Sequence, residues 1–422
     1  MNREIYNGCL ELLRKELVPA FGCTEPIAIA YASAVARDVL GALPERMIVS
    51  CSGNIIKNVK GVIVPATGGL KGIEAAAVVG AVGGDAKEKL EVLHKVVKED
   101  CILAKDLIRQ GICQVKLLDS DEKLHIIVEA FAGSDRVLVE LKHHHTQIVC
   151  IEKNGEVLKK EDCLSGTAES DVPEFLDFQE IYEFAQYVKP EDVEEILDRQ
   201  ITYNTQIAEY GMTHAYGANV GATLVEEYGS SINVMARALP AAGSDARMGG
   251  CELPVVINSG SGNQGMTVSL PVVAYARKLK VSKEKLYRAL CISNLTAIYQ
   301  KSQIGRLSAY CGAVSAGAGA GAGITYLMGG GVEEIESVVT NTLANVAGIL
   351  CDGAKASCAA KIASSVEAAL MAIQLTFRGK SFCAGDGIVK NDADVTVKEV
   401  GKIAREGMQE TDHVILNVMV EA

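Results

Sequence analysis

The sequence predicts an α+β fold, in which a mainly helical Gly/Ala-rich domain carries a smaller α+β domain containing an antiparallel sheet. Three observations predict it. Apolar residues recur at helical spacing over most of the chain. Between residues 112 and 160 the period changes to strand-like alternation, punctuated by turn-forming triplets. The 422 residues include 41 Gly but only 7 Phe, 13 Tyr and no Trp, a composition suited to helices packed closely through small side chains.

The elements follow in order. Ile5, Leu10, Leu13 and Leu17 repeat on one helical face over residues 4–18, and Pro19 and Gly22 end that helix. A second helix opens at Thr24-Glu25-Pro26 and runs to Leu40-Gly41, with Thr24 as a natural cap and Pro26 tolerated in the first turn. Residues 46–65 read as extended chain around a loop at Ser52-Gly53-Asn54. Ala66-Thr67-Gly68-Gly69 is a turn, followed by an Ala-rich helix to Val82 and another from about Lys87 to Arg109.

Val115–Leu117, His125–Val128, Val137–Leu141 and Gln147–Val149 then read as a four-stranded antiparallel meander. Its turns fall at Asp119-Ser120-Asp121, Gly133-Ser134-Asp135 and Lys153-Asn154-Gly155. His143-His144-His145 ends a strand; neighbours there point to alternate faces and do not easily grip one metal together, so the three are read as solvent-facing, with metal binding the lesser alternative. Beyond about 165 the chain is helical again, with an amphipathic stretch over Pro190–Arg199 and Gly-rich turns from 201 onward. The Ala-Gly alternation at 316–323 leaves two readings open, a helix with very close neighbours or a loop that lets backbone approach a ligand.

Composition excludes several functions. Lys plus Arg number 41 against 53 Asp plus Glu, a net charge of −12, which disfavours any nucleic acid partner. Without Trp a base-stacking platform is also disfavoured. Met1–Tyr6 lacks the apolar core of a secretion signal, so a cytoplasmic location is expected. Residues 253–276 and 307–332 are long and uncharged. The first is interrupted by polar and Gly residues and the second is mostly Gly and Ala, so both are expected in a soluble core and not in a membrane.

Thirteen cysteines without a signal sequence are not expected to be disulfides, and no CxxC occurs among them. Cys23 precedes a predicted helix start, where the dipole favours an anion and its thiolate is expected to form easily. Cys311 and Cys351 each border Gly-containing turns. Gly260-Ser261-Gly262-Asn263-Gln264-Gly265 has G-x-G-x-x-G spacing without a surrounding βαβ unit. It is read as a loop whose N–H groups hold a small carboxylate.

Together, Cys23-Thr24-Glu25-Pro26, Ser259–Gly265, Cys311-Gly312-Ala313 and Cys351-Asp352-Gly353-Ala354-Lys355 resemble the iron–sulfur L-cysteine desulfidase family, related to the α chain of iron–sulfur L-serine dehydratases. The resemblance implies a [4Fe–4S] cluster held by Cys23, Cys311 and Cys351, no pyridoxal phosphate, and β-elimination from L-cysteine to sulfide, ammonia and pyruvate. Thr24, Glu25, Ser259, Gly260, Ser261, Gly262, Asn263 and Gln264 are then the expected substrate-binding residues. The serine dehydratases carry a Ser-Ser-His-Thr type segment where this chain has Gly22-Cys23-Thr24-Glu25, which argues for a thiol leaving group. L-serine deamination and a non-catalytic small-molecule binding protein are the alternatives.

Lys355 is the leading candidate for the base, with charge balance of the cluster as its competing role, and His214 is the runner-up. Cys358 is expected to be dispensable, being two helical turns and about 10 Å from Cys351 on a continuing helix, unless Gly353 breaks that helix. The implied meeting of Cys23 with Cys311 and Cys351 makes the helical domain discontinuous, 1–45 plus 165–422, around an insert at 46–164. A homodimer is left open.

Overall fold

The computed structural model describes residues 1–120, 122, 124–161, 175–305 and 308–421. Asp121 of the first expected turn, Cys163, the 164/165 division and the first residue of the stretch beginning at Leu307 lie outside them. The fold is α+β, with helices that share one large core and a mixed six-stranded sheet in a second.

The large core gathers helix Arg3–Glu16, the helices between Phe178 and Thr213, and those from Gly262 to Lys402. At its centre lies helix Gly312–Leu327, which packs on Gly262–Leu279, Lys283–Ile304, Val332–Val346 and Cys358–Thr376. The Ala-Gly alternation is therefore helical, and its glycines set the packing distance. A Cβ built on Gly319 would stand 2.5 Å from the Ser293 carbonyl oxygen, so any side chain there pushes two helices apart. Helix Cys358–Thr376 is long and apolar enough to cross a membrane by length and composition alone; here it contributes Ile362, Val366 and Leu370 to this core.

The second core is built on strands in the spatial order Cys113–Leu117, Arg46–Cys51, His125–Ala132, Asp135–Lys142, Ile148–Lys153 and Glu156–Lys160. Four of the five pairings are antiparallel. The exception is Arg46–Cys51 with Cys113–Leu117, which run parallel with Val49 opposite Val115. The expected pure meander is thus corrected: Arg46–Cys51 separates Cys113–Leu117 from His125–Ala132. The cause is the helical crossover from residue 53 to 109, which returns the chain in the same direction. Residues 46–65 are likewise not extended throughout. After Cys51 the chain enters helix Gly53–Val59, whose first turn bonds back to the Ser52 carbonyl. The helix expected from Lys87 to Arg109 is split into a short 3₁₀ turn at Ala86–Glu91 and helix Lys98–Arg109.

Helix Thr24–Leu40 buries Ile27, Ile29, Tyr31 and Leu40 with the sheet, alongside helix Gly72–Gly83. Helix Thr24–Leu40 thus packs in the second core, whereas helix Arg3–Glu16 packs in the first. Strand Pro19–Phe21 lies at that crossing and pairs antiparallel with Pro254–Val256.

Gly319→Ala is expected to cost about 1–3 kcal/mol, the usual range for overpacking a tight core. Gly348→Ala, whose added Cβ meets nothing within 4 Å, is expected to stay within about 0.5 kcal/mol of the parent. Denaturant midpoints of the two variants check both values.

Candidate active site

A cavity of about 120 Å³ lies where the two cores meet. Three long helices begin at it: Thr24–Leu40, Gly262–Leu279 and Gly312–Leu327, whose N-cap residues Cys23, Ser261 and Cys311 all line the cavity. A fourth, Cys358–Thr376, contributes its first residue. Helix starts carry unpaired N–H groups and partial positive charge, and neither Cys23 nor Cys311 caps its helix with its own side chain. Lys57, Arg247 and Lys301 add three cationic side chains to the lining. The cavity is thus built to receive negative charge.

The cysteine positions follow from local backbone. Cys311 and Cys351 sit on two adjoining segments joined by a short antiparallel bridge between Tyr310 and Leu350. The Cys311 N–H donates to the Ile349 carbonyl at 3.1 Å and the Cys351 N–H to the Ala309 carbonyl at 2.6 Å. Helix Val332–Val346 ends before Cys351, and helix Cys358–Thr376 starts anew. Between them Gly353 adopts φ +92°, and a Cβ there would fall 2.3 Å from the Lys57 carbonyl oxygen. Cys351 and Cys358 therefore do not share a continuous helix, and the separation that excluded Cys358 does not apply. Its thiol lines the same cavity, donating to the Gly353 carbonyl at 3.6 Å.

Burial dominates Cys23 and Cys311. Cys23 is 1% exposed and its pKa is pushed up to about 11 by desolvation, which outweighs the nearby Arg247 guanidinium. Cys311 is pushed up to about 12 by burial and by the neighbouring Cys351. The easy thiolate expected at Cys23 is thus corrected: the helix end is there, but water is not. Cys358 is within electrostatic reach of Cys23, Cys311 and Cys351. Among the described residues, no group of three or more His, Cys, Asp or Glu is arranged to hold a metal ion.

The remaining expected residues divide. Thr24, Glu25, Ser259, Gly260, Ser261, Asn263 and Gln264 line the cavity, whereas Gly262 lies just behind it. The Thr24 hydroxyl is 3.0 Å from both the Gly260 carbonyl and the Glu25 carboxylate, and Asn58 donates to the other Glu25 oxygen at 3.1 Å. Arg247 ties the two loops together. Its Nε and Nη2 donate to the Gly22 carbonyl at 3.2 and 3.0 Å, and Nη1 reaches Asn263 Oδ1 at 3.3 Å. Gln264 Oε1 and Asn54 Oδ1 are buried on the cavity without a hydrogen-bond partner among the described residues.

Neither proposed base is on the cavity wall. Lys355 pairs with Asp352 at 2.6 Å, and His214 is exposed and stacked on Tyr210 with ring centroids 3.8 Å apart. His145 does line the cavity, correcting its reading as solvent-facing. Lys57, Asn54 and Asn58 were missed because residues 53–59 were read as the end of a loop followed by extended chain, where the structure has a helix. Arg247 and Lys301 carry no sequence signal that sets them apart from the other charged residues of their helices.

The helix that presents Arg247, Ile232–Met248, also buries Asp245. Desolvation raises its carboxyl from 3.8 to about 6, against the Gly221 N–H donated at 3.1 Å. Since the folded value exceeds the unfolded one, folding takes up a proton in that interval, and stability from this group is lost as pH rises through about 6. Asp245→Asn is expected to raise thermal stability relative to the parent above pH 6, with the difference fading below pH 4. Melting temperatures across pH 4–8 measure it.

The serine dehydratase alpha chain family matches residues 87–417, a span that includes Cys311, Cys351 and Cys358 but not Cys23. Among curated relatives, a UPF0597 protein of Lachnoclostridium phytofermentans is 58% identical over 419 residues, covering 99% of this chain and 100% of its own. UPF0597 proteins of Desulfitobacterium hafniense and Treponema denticola are 49% and 47% identical, covering 98% and 100% of this chain and 97% and 99% of their own lengths. With most of its length matched and its relatives spanned end to end, the chain belongs to the serine dehydratase alpha chain family.

Proposed function

We propose that the protein is an iron–sulfur lyase that eliminates sulfide from L-cysteine. The observation that carries this reading is the convergence of Cys23, Cys311, Cys351 and Cys358 on one cavity, all but Cys351 at the positive ends of helices. The donor set fits the cluster: soft sulfur ligands, Cys23 and Cys311 buried and Cys351 and Cys358 half-buried, among cations that offset the negative charge of thiolates and sulfides. Held by three thiolates, a [4Fe–4S] cluster offers one open iron as a Lewis acid toward the substrate carboxylate and leaving group.

The chain's own residues supply the rest. The Asn263 N–H at the helix start and the Arg247 guanidinium face the substrate carboxylate. Gln264 Oε1 and Asn54 Oδ1, both lacking partners among the described residues, and the Glu25 carboxylate accept from the α-ammonium group. His145 replaces Lys355 and His214 as the base for the Cα proton, because it alone of the three lines the cavity. Loss of that proton and of sulfide leaves 2-aminoacrylate, which tautomerises to the imine and is hydrolysed by water to pyruvate and ammonium.

Anaerobic reconstitution with iron and sulfide, followed by metal counting and assay over a panel of amino acids, tests the proposal. Failure to take up iron would leave a binding protein using the same cavity. A second reading, L-serine deamination, is favoured by the family match. The ratio of kcat/KM for L-cysteine to that for L-serine is expected to exceed one, and a ratio favouring L-serine would select the second reading.

Four thiols surround a site that needs three. Serine substitution of each, with iron counted after reconstitution, is expected to abolish the cluster in three variants, Cys311→Ser and Cys351→Ser among them, and to spare it in one. Loss in all four would mean a closed cluster with no open iron.

A further inference from the structure

The C-terminal segment reaches the cavity wall at two points. Helix Gln409–Glu421 follows a π-helical turn at Ile403–Gly407 and has its main contacts with that turn and with helix Gly53–Val59. Asp412 pairs with Lys57, whose side chain is 2% exposed and lines the cavity. The same Lys57 ammonium donates to the Cys351 carbonyl at 3.5 Å. At the other point, the Ser308 hydroxyl donates to the Ala404 carbonyl in the π turn at 3.2 Å and accepts from the Tyr310 N–H at 3.1 Å. Ser308 and Tyr310 lead directly into Cys311, while Lys57 holds the carbonyl of Cys351. The helix is seated by shape as well: a Cβ on Gly53 would fall 2.4 Å from Leu416 Cδ2, and Lys60 donates to the Met419 carbonyl at 2.6 Å.

We infer that Lys57 is a positioning residue, held by Asp412 of the C-terminal helix, that fixes the Cys351 segment against the cavity. This rests on the reading of the cavity as a cluster site. A buried ammonium left without its carboxylate seeks water or another anion, so losing Asp412 withdraws the donor from the Cys351 carbonyl. Losing Lys57 removes that donor directly. Either way the Cys351–Gly353 turn opens more often, while Cys23 stays under Arg247 and Cys291 stays in the large core.

The test uses the full chain, metal-free and reduced, with alkylation by iodoacetamide followed cysteine by cysteine through peptide mass spectrometry. Asp412→Ala and Lys57→Met are expected to raise the alkylation rate of Cys351 by about tenfold, the effect of losing one buried charge-assisted contact on a local opening. The rate at Cys291 is expected not to change, and Asp412→Glu is expected to restore most of the protection. A rise at Cys291 in Lys57→Met would report unfolding of that variant, and Asp412→Ala then decides alone. An unchanged Cys351 rate in Asp412→Ala overturns the inference. Because the measurement needs no cluster, it stands even where reconstitution fails. Where reconstitution succeeds, a shorter half-life of the cluster absorbance in air is expected for both variants.

Discussion

The site depends on one constraint: several helices must begin at the same small volume. A helix start points N–H groups and partial positive charge outward, and bringing several such ends together in a dry pocket is costly unless something negative sits among them. Thiolates, sulfides and a carboxylate are chemically suited to that place. The neighbouring packing follows from it. The Ala-Gly helix behind Cys311 lets its neighbours approach within backbone distance. Gly353 bends the chain so that Cys351 and Cys358 face the same space, and Arg247 binds the Cys23 turn to the Ser261 loop.

This arrangement also explains the pKa values. A helix dipole lowers a thiol's pKa only when the thiol also keeps some solvation, whereas Cys23 and Cys311 have almost none. Without an electron-deficient partner they rest as thiols. A ligand that brings its own positive charge, as iron does, supplies what the helix ends alone do not.

Much of this was legible in the sequence where the signal is local. Thr24-Glu25-Pro26 marks a helix start, and the structure begins a helix at Thr24, but Cys23 takes the cap position expected for Thr24 and no side chain caps the helix. Cys23, Cys311 and Cys351 stood out by their turn-like settings and reach one cavity. What could not be read depends on pairing over long distances. The parallel partnership of Arg46–Cys51 with Cys113–Leu117 leaves no mark on either strand. Ser52-Gly53-Asn54 has the composition of a loop, yet it opens a helix, and with that helix Lys57 and Asn58 were lost from view. His145 was assigned outward by strand alternation, but it lies past the strand end, where alternation no longer governs direction.

The pairing of Pro19–Phe21 with Pro254–Val256 bears on how the molecule is made. The first strand of that pair leaves the ribosome more than two hundred residues before its partner, since 254 − 21 = 233. Until then the adjoining turn at Gly22-Cys23 has neither the Arg247 bonds nor the Ser261 loop to hold it. Contacts of such sequence separation close late in folding. The Cys23 turn therefore takes its final place only after residues 247 to 261 have been made, so the pocket does not exist on any shorter nascent chain.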